Sequence, residues 1–308
     1  MSGSGLSLSD FRGNPRRIRM DLFVRASFFI AASITILISG LIVGSLFSEA
    51  ASFLNSVDLS ALASPSGWFP RRGYFDVKTI FVGSLLVTVI GMLISIPLGL
   101  GTAIYLAEYA RPRVRRFLKP TLEMLAGIPS VVVGVFALTW ISPQIVRNLF
   151  DATLFNLVAA GIGVGILTIP LVASISEDAM RAVPQSLREA AYGMGAKKVT
   201  TSIRVVIPAA VSGLVAAFIV AVSRAIGETM VVAIAAGGTG GSQFTTEVLG
   251  PGQTMTAAMA ALASGSDQVT GSGDAFQSLF FVGLLLFCIT LGLNIVAERF
   301  VRRIRQRY

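Results

Sequence analysis

Two charged residues stand inside a stretch that is otherwise apolar. The segment Ser223-Arg-Ala-Ile-Gly-Glu-Thr229 lies within the apolar run Val205–Ala236, near or just past its middle. An arginine at the centre of a bilayer costs about 2.5–3.5 kcal/mol on insertion scales, so such residues normally face a bundle interior or an aqueous cavity. Arg224 and Glu228 are four residues apart, which on a continuous helix places both on one face, within reach of each other. One reading is a salt bridge that neutralises itself between packed helices. The other makes the guanidinium a transient oxyanion ligand, because its planar fork takes two oxygens at once and keeps its charge at any relevant pH. Glu228 then gains a use too: phosphate near neutral pH has a proton to donate to a carboxylate, and sulfate has none.

Other chemistry is poorly served. The chain has no histidine, which removes the usual imidazole metal ligand and acid–base group. Its one cysteine, Cys288, sits in an apolar block, so an internal disulfide is impossible and the thiol is expected to be inert. No metal-ligand cluster and no nucleophile with an evident base is present. The G-x-x-x-x-G-K-[ST] loop that cradles nucleotide phosphates is missing, and the nearest stretch, Gly193-Met-Gly-Ala-Lys-Lys198, has neither the spacing nor the hydroxyl. A membrane enzyme is disfavoured, and the chain is expected to hold no cofactor.

The elements that position these residues are membrane helices. Of 308 residues, 54% are hydrophobic and 13% charged, about half the charge of a soluble domain. A span needs about 20 apolar residues. The candidates are Ala26–Phe47, Thr79–Ala107, Leu122–Ile141, Ala152–Ile175, Val205–Ala236 and Ser278–Val296. The first is too long for a signal-peptide core and is read as a retained helix. The third contains Gly127 and Pro129; the fourth contains Gly161, Gly163 and Gly165, which suit close helix packing. The outer connections, for instance Gly237–Ser242 and Ser264–Gly273, look like mobile surface loops.

Charge sets the orientation. Both tails and the connections 107–121 and 176–204 hold five Lys/Arg each, against four in the remaining loops (Arg71, Arg72, Lys78, Arg147). Twenty against four predicts both termini in the cytoplasm. The net charge of +9 therefore reads as an orientation signal and not as a nucleic-acid surface. The expected organisation is a cytoplasmic tail, 1–25, and one six-helix domain, 26–308.

The 176–204 connection is long for an inner loop. Pro184 precedes a helix-forming stretch, Gln185 to about Met194, and Gly195 supplies a stop or tight turn. A short helix across the membrane face makes a lever on which a partner can push.

In this loop the chain resembles the inner-membrane permeases of ABC importers. Their signature, E-A-A, three residues, G, nine residues, I-x-L-P, aligns with Glu189, Ala190, Ala191 and Gly195, then Val205, Ile207 and Pro208. The resemblance implies the type I permease fold, all-α with six spans. It also implies that the loop couples to an ATP-hydrolysing subunit, with Glu189 and Gly195 as contact and hinge. ATP and Mg would be bound by that partner. Arg224-Ala-Ile-Gly-Glu-Thr-Met230 is similar to a stretch of phosphate permeases, as are Thr102–Tyr109 and Ala126–Val132. Met230-Val231 suits the PstC kind, whereas Arg181–Glu189 suits PstC and PstA equally. This resemblance implies that Arg224 and Glu228 serve phosphate passage, with Thr229 and Ser130 as further candidates lining the path. It implies as partners a homologous PstA-like permease, two ATP-binding subunits and an external phosphate-binding protein, in the inner membrane. The alternatives are the same machine for molybdate, sulfate or a phosphonate, and an ion-coupled carrier, against which the docking loop argues.

Overall fold

The computed structural model describes residues 15–238, 240–264 and 273–304. The first fourteen residues of the expected tail, most of the Ser264–Gly273 connection and the last four residues lie outside them. The chain divides into two units, residues 1–48 and 49–308.

The first unit carries most of α1 (Pro15–Ser56), a helix of 42 residues, or about 63 Å at 1.5 Å per residue. It begins at Pro15, whose fixed φ suits a first helical turn. Arg16, Arg17 and Arg19, expected in a tail, are therefore turns of this helix.

In the second unit, the end of α1 leads to a small antiparallel hairpin, β1 (Trp68–Phe69) and β2 (Tyr74–Phe75), with Trp68 opposite Phe75. α2 (Val77–Ile104) follows, started by Asp76, whose carboxylate accepts from the Lys78 N–H at 3.1 Å and the Thr79 hydroxyl at 2.8 Å. A widened turn, Tyr105–Tyr109, ends it. Then come α3 (Pro112–Ala126) and α4 (Ser130–Phe136), which runs through a π-helical stretch, Ala137–Val146, into α5 (Arg147–Phe150). Next are α6 (Leu157–Arg181), α7 (Gln185–Gly193) and α8 (Lys198–Thr201), the last joined by Ser202–Val206 to α9 (Ile207–Ile226). α10 (Met230–Ala235), α11 (Met255–Ala263) and α12 (Asp274–Ile304) complete the chain. Six helical stretches among the described residues are long and apolar enough to cross a membrane.

Two spans differ from the expectation. The third was expected over Leu122–Ile141, but Gly127 and Pro129 break the chain, and the span is Ser130–Phe150. Leu122–Ala126 instead close α3, an amphipathic helix that starts at Pro112. The fifth was expected unbroken over Val205–Ala236, but it stops at Ile226 and restarts at Met230.

The core is a seam of glycines between α2 and α6. A Cβ on Gly161 would stand 2.6 Å from the Ile90 Cβ, and one on Gly99 2.7 Å from Val172. A Cβ on Gly91 would lie 3.3 Å from the Gly161 carbonyl oxygen and from the Gly165 nitrogen. This is the close packing that small residues allow in membranes.

In the connection expected as a loose loop, the described residues Gly241 and Ser242 are held. Ser242 and Trp68 exchange backbone hydrogen bonds at 2.8 and 3.0 Å, and Gly241, at φ +111°, packs against Phe69. Further on, α11 lies buried against α2, the Met255 N–H donating to Ser84 Oγ at 2.9 Å. At nine residues it is too short to span, so it carries no hydropathy signal of its own.

Candidate functional site

The break in the fifth span decides what the charged pair can do. Glycine and a β-branched threonine weaken the helix at Gly227–Thr229, and a remote residue completes the break: the Thr256 hydroxyl donates to the Glu228 carbonyl at 2.7 Å. At membrane depth a backbone group freed from a helix must find such a partner. Because i,i+4 geometry needs an unbroken helix, Arg224 and Glu228 do not share a face as expected. Among the described residues, no acidic group lies within 4.0 Å of Arg224 and no cation within that distance of Glu228. Arg224 is exposed in the last turn of α9, where the helix dipole favours a cation. Its neighbour Ser223 reaches Asn294 of α12, Oγ to Oδ1, at 3.5 Å. Glu228 is 9% exposed, its Oε1 accepting the Thr229 N–H at 3.2 Å. The self-neutralising bridge does not form.

Ser130 and Thr229 hold matching places. Ser130 opens α4 after the Gly127–Pro129 break, and Thr229 immediately precedes α10. These two short helices touch one turn in, since a Cβ on Gly134 would lie 3.1 Å from the Met230 carbonyl oxygen and from Val231 Cα. The two broken spans thus pack against each other close to their breaks, and the face bearing Val131, Val132 and Val135 is exposed.

The Glu-Ala-Ala loop folds as the spacing predicts. α7 follows Pro184 and presents Glu189 and Ala190 to solvent, with Ala191 half-buried; Pro208 is exposed at the start of α9. Gly195 turns the chain in the left-handed region, φ +80°, with open space around its α-carbon. Since nothing crowds it, Gly195→Ala should lower stability by the conformational penalty alone, about 1–2 kcal/mol. Asparagine, which tolerates this region, should lose much less. Thermal unfolding of the purified chain and its two variants checks the order Gly, Asn, Ala.

Sequence reasoning missed what anchors α7. Arg188 points inward, with an 11% exposed side chain, and its guanidinium makes four hydrogen bonds. Nε and Nη2 donate to Glu108 Oε1 at 3.3 and 2.9 Å, Nη2 also to the Met180 carbonyl at 2.8 Å, and Nη1 to the Val183 carbonyl at 2.7 Å. Glu108, in the turn after α2, is 3% exposed. Removing one partner of such a buried pair costs on the order of 3–5 kcal/mol. Nothing in the sequence spacing marks it, because the partners stand 80 residues apart.

A second cluster ties α3 to α6. Glu177, fully buried, accepts from Arg115 Nε at 2.6 Å, and Lys119 Nζ lies 3.0 Å from its other oxygen, off the line of a hydrogen bond. Lys119 also meets Asp178 at 2.7 Å. Burial is the largest influence on the Lys119 ammonium and pulls its pKa down, but its contacts to Asp178 and Glu177 together outweigh it and raise the pKa above 10.5. A raised lysine stabilises fully below its ordinary value and loses that contribution only as pH rises through the higher one, so the Lys119 ammonium keeps its charge across the neutral range.

The chemistry on offer is charge recognition. An apolar recess of about 630 Å³, lined by Leu85, Thr88, Val89, Met92, Val222 and Ile289, suits hydrocarbon and not an anion. Among the described residues no group of His, Cys, Asp or Glu could hold a metal ion.

Known proteins agree with this architecture. Residues 95–308 match the family described as binding-protein-dependent transport system inner membrane component. The phosphate transport system permease protein PstC of Mesorhizobium japonicum is 31% identical, over 93% of this chain and 91% of its own. The permease protein PstA 1 of Mycobacterium tuberculosis strain H37Rv is 33% identical, but over 56% of each chain. A chain from a bacterial ABC transporter involved in the import of the acidic polysaccharide alginate has the same fold, with a TM-score of 0.63 and 12% identity over 94% of this chain and 100% of that one. Six spans, a broken fifth helix and an exposed helix after Pro184 thus meet a likeness that runs nearly the whole length: the chain belongs to the binding-protein-dependent transport system inner membrane components and, within them, to the PstC permeases.

Proposed function

We propose that this chain is the PstC-type permease subunit of an ATP-driven importer and carries inorganic phosphate inward across the cytoplasmic membrane. The observation that carries the reading is Arg224, an exposed cation in an apolar span with no acidic partner among the described residues, within a chain like PstC over nearly its full length. A fork left free of carboxylate is a fork free to bind an oxyanion. That Arg224 and Glu228 form no bridge supports the transport role over the structural one.

In this reading both termini face the cytoplasm, as the basic residues suggest. The permease domain is residues 26–308, with the tail 1–25 ahead of it in sequence. α7 docks through Glu189, Ala190 and Ala191 onto one of two ATP-binding subunits, which hold the nucleotide and its magnesium; Gly195 and Pro208 set the turn and the return into the fifth span. An external phosphate-binding protein delivers the substrate, and a homologous PstA-like permease supplies the other wall of the path. Arg224 takes two phosphate oxygens, Thr229 and Ser130 offer hydroxyls, and Glu228 accepts the proton phosphate carries. Binding at this point is weak, since release must be fast.

ATP-dependent uptake of labelled phosphate into proteoliposomes holding the whole complex tests the reading. Uptake that unlabelled phosphate suppresses far better than molybdate, sulfate or a phosphonate supports it; uptake driven by an ion gradient without ATP overturns it. Glu228→Gln should admit sulfate about tenfold better relative to phosphate, the worth of one charge-assisted hydrogen bond. A variant that rejects sulfate as well as the parent would remove Glu228 from the selection step.

A further inference from the structure

We infer that Arg188 and Glu108 form a rigid joint through which α7 moves the second and fourth spans as one piece, so that they are positioning residues for transport. The inference rests on the reading above that α7 docks an ATP-binding subunit.

The argument starts from where the guanidinium reaches. Its four bonds end on three different pieces of chain: Glu108 just beyond α2, Met180 in the last turn of α6, and Val183 in the link between α6 and α7. Arginine presents its donors in one plane at fixed angles, so groups held by one guanidinium are also fixed relative to one another. One bond goes to the Met180 carbonyl in the last turn of α6 and one to the Val183 carbonyl just beyond it, near a helix end whose dipole favours a cation. Arg188 is the one buried residue of α7 and its polar anchor, with Leu187 half-buried against the Met180 and Val183 cluster, while Glu189, Ala190 and Tyr192 are exposed. A push on the outer face of α7 therefore reaches the bundle through Arg188.

The spans it reaches are themselves joined. α2 and α6 share the glycine seam, where backbone meets backbone at Gly91, Gly161 and Gly165. α6 is in turn tied to α3 through Glu177, Arg115 and Lys119. A displacement of Arg188 along the membrane normal or across it must carry α2 and α6 together, because neither can slip past the other. Beside the joint lies a polar cleft of about 340 Å³, lined by Glu108, Arg181, Gln185, Arg188, Tyr192 and Lys198. It lets water reach the charges if they part, so the joint can be cut without stranding dry ions.

The test uses the assembled complex in proteoliposomes, with Cys288→Ser as the background. Phosphate carried per ATP hydrolysed is measured for the parent, Glu108→Gln, Arg188→Lys and the double variant Arg188→Gln/Glu108→Gln. The double variant leaves no orphaned charge and guards against a single variant that fails to assemble. Spin labels at Ser186→Cys in α7 and Leu98→Cys in α2 report their separation with and without ATP. A joint predicts that the parent's distance distribution stays narrow through ATP binding. In the double variant it should broaden, and phosphate per ATP should fall about tenfold, the size of a coupling near 1.4 kcal/mol, while hydrolysis per assembled complex changes little. Arg188→Lys keeps the charge but not the fork and should fall between. Uptake and hydrolysis dropping in equal proportion with distances unchanged would mean a structural prop only, and would overturn the inference. A parent that hydrolyses ATP with its label separation unchanged and narrow, yet carries no phosphate, would instead defeat the substrate reading and leave the joint standing.

Discussion

Arg224→Gln is expected to abolish ATP-dependent phosphate uptake while assembly and basal ATP hydrolysis persist. Glutamine keeps most of the length and a hydrogen-bonding head but gives up the charge and the fork. Two charge-assisted hydrogen bonds contribute about 1.5–3 kcal/mol each, so uptake should fall by at least about a hundredfold. Assembly should survive, because among the described residues no carboxylate within 4.0 Å loses its partner when Arg224 goes. Had the bridge to Glu228 formed, the same change would have left a buried charge unpaired and damaged folding. Uptake, hydrolysis and size-exclusion profile from one preparation decide the matter. Lost assembly would restore the structural role, and undiminished uptake would remove Arg224 from the path.

The second large effect concerns the seam. Gly161→Ala should destabilise the chain by about 1–3 kcal/mol, as overpacking of a tight contact does. The added carbon would sit 2.6 Å from both Cβ and a branch carbon of Ile90, and 3.3 Å from the Val87 carbonyl oxygen. Ile90 is branched at that atom and cannot swing its tip away, so the two helices would have to part. Gly101→Ala is the control, since its Cβ meets nothing within 4 Å. There alanine's better helix propensity should leave stability equal or slightly higher. One chemical change with opposite signs at two sites separates packing from propensity. Thermal unfolding in detergent reads it; a tolerated Gly161→Ala would show that the seam can relax.

Much of this architecture was legible from the residues. Six spans, the positive-inside count and the α7 helix between Pro184 and Gly195 follow from local properties: transfer free energy, loop charge and turn chemistry belong to each residue where it stands. The candidates Arg224 and Glu228 were visible for the same reason, being charges in an apolar run.

What tertiary structure alone decided is how those charges are used. The fifth span breaks because Thr256, 28 residues on, satisfies the Glu228 carbonyl. The third starts at Ser130 because Gly127 and Pro129 end α3 first. Apolar residues close in on both sides of each break, so hydropathy averaged over a span could not mark them. Arg188 reads as one more surface cation beside Glu189, yet it is buried against Glu108, 80 residues away. Hydropathy sums along the chain, whereas a hydrogen bond needs a donor and an acceptor brought together in space. The sequence by itself therefore determined which segments enter the membrane and which side chains are charged there, and only the fold determined which of those charges are paired and which is left free to bind.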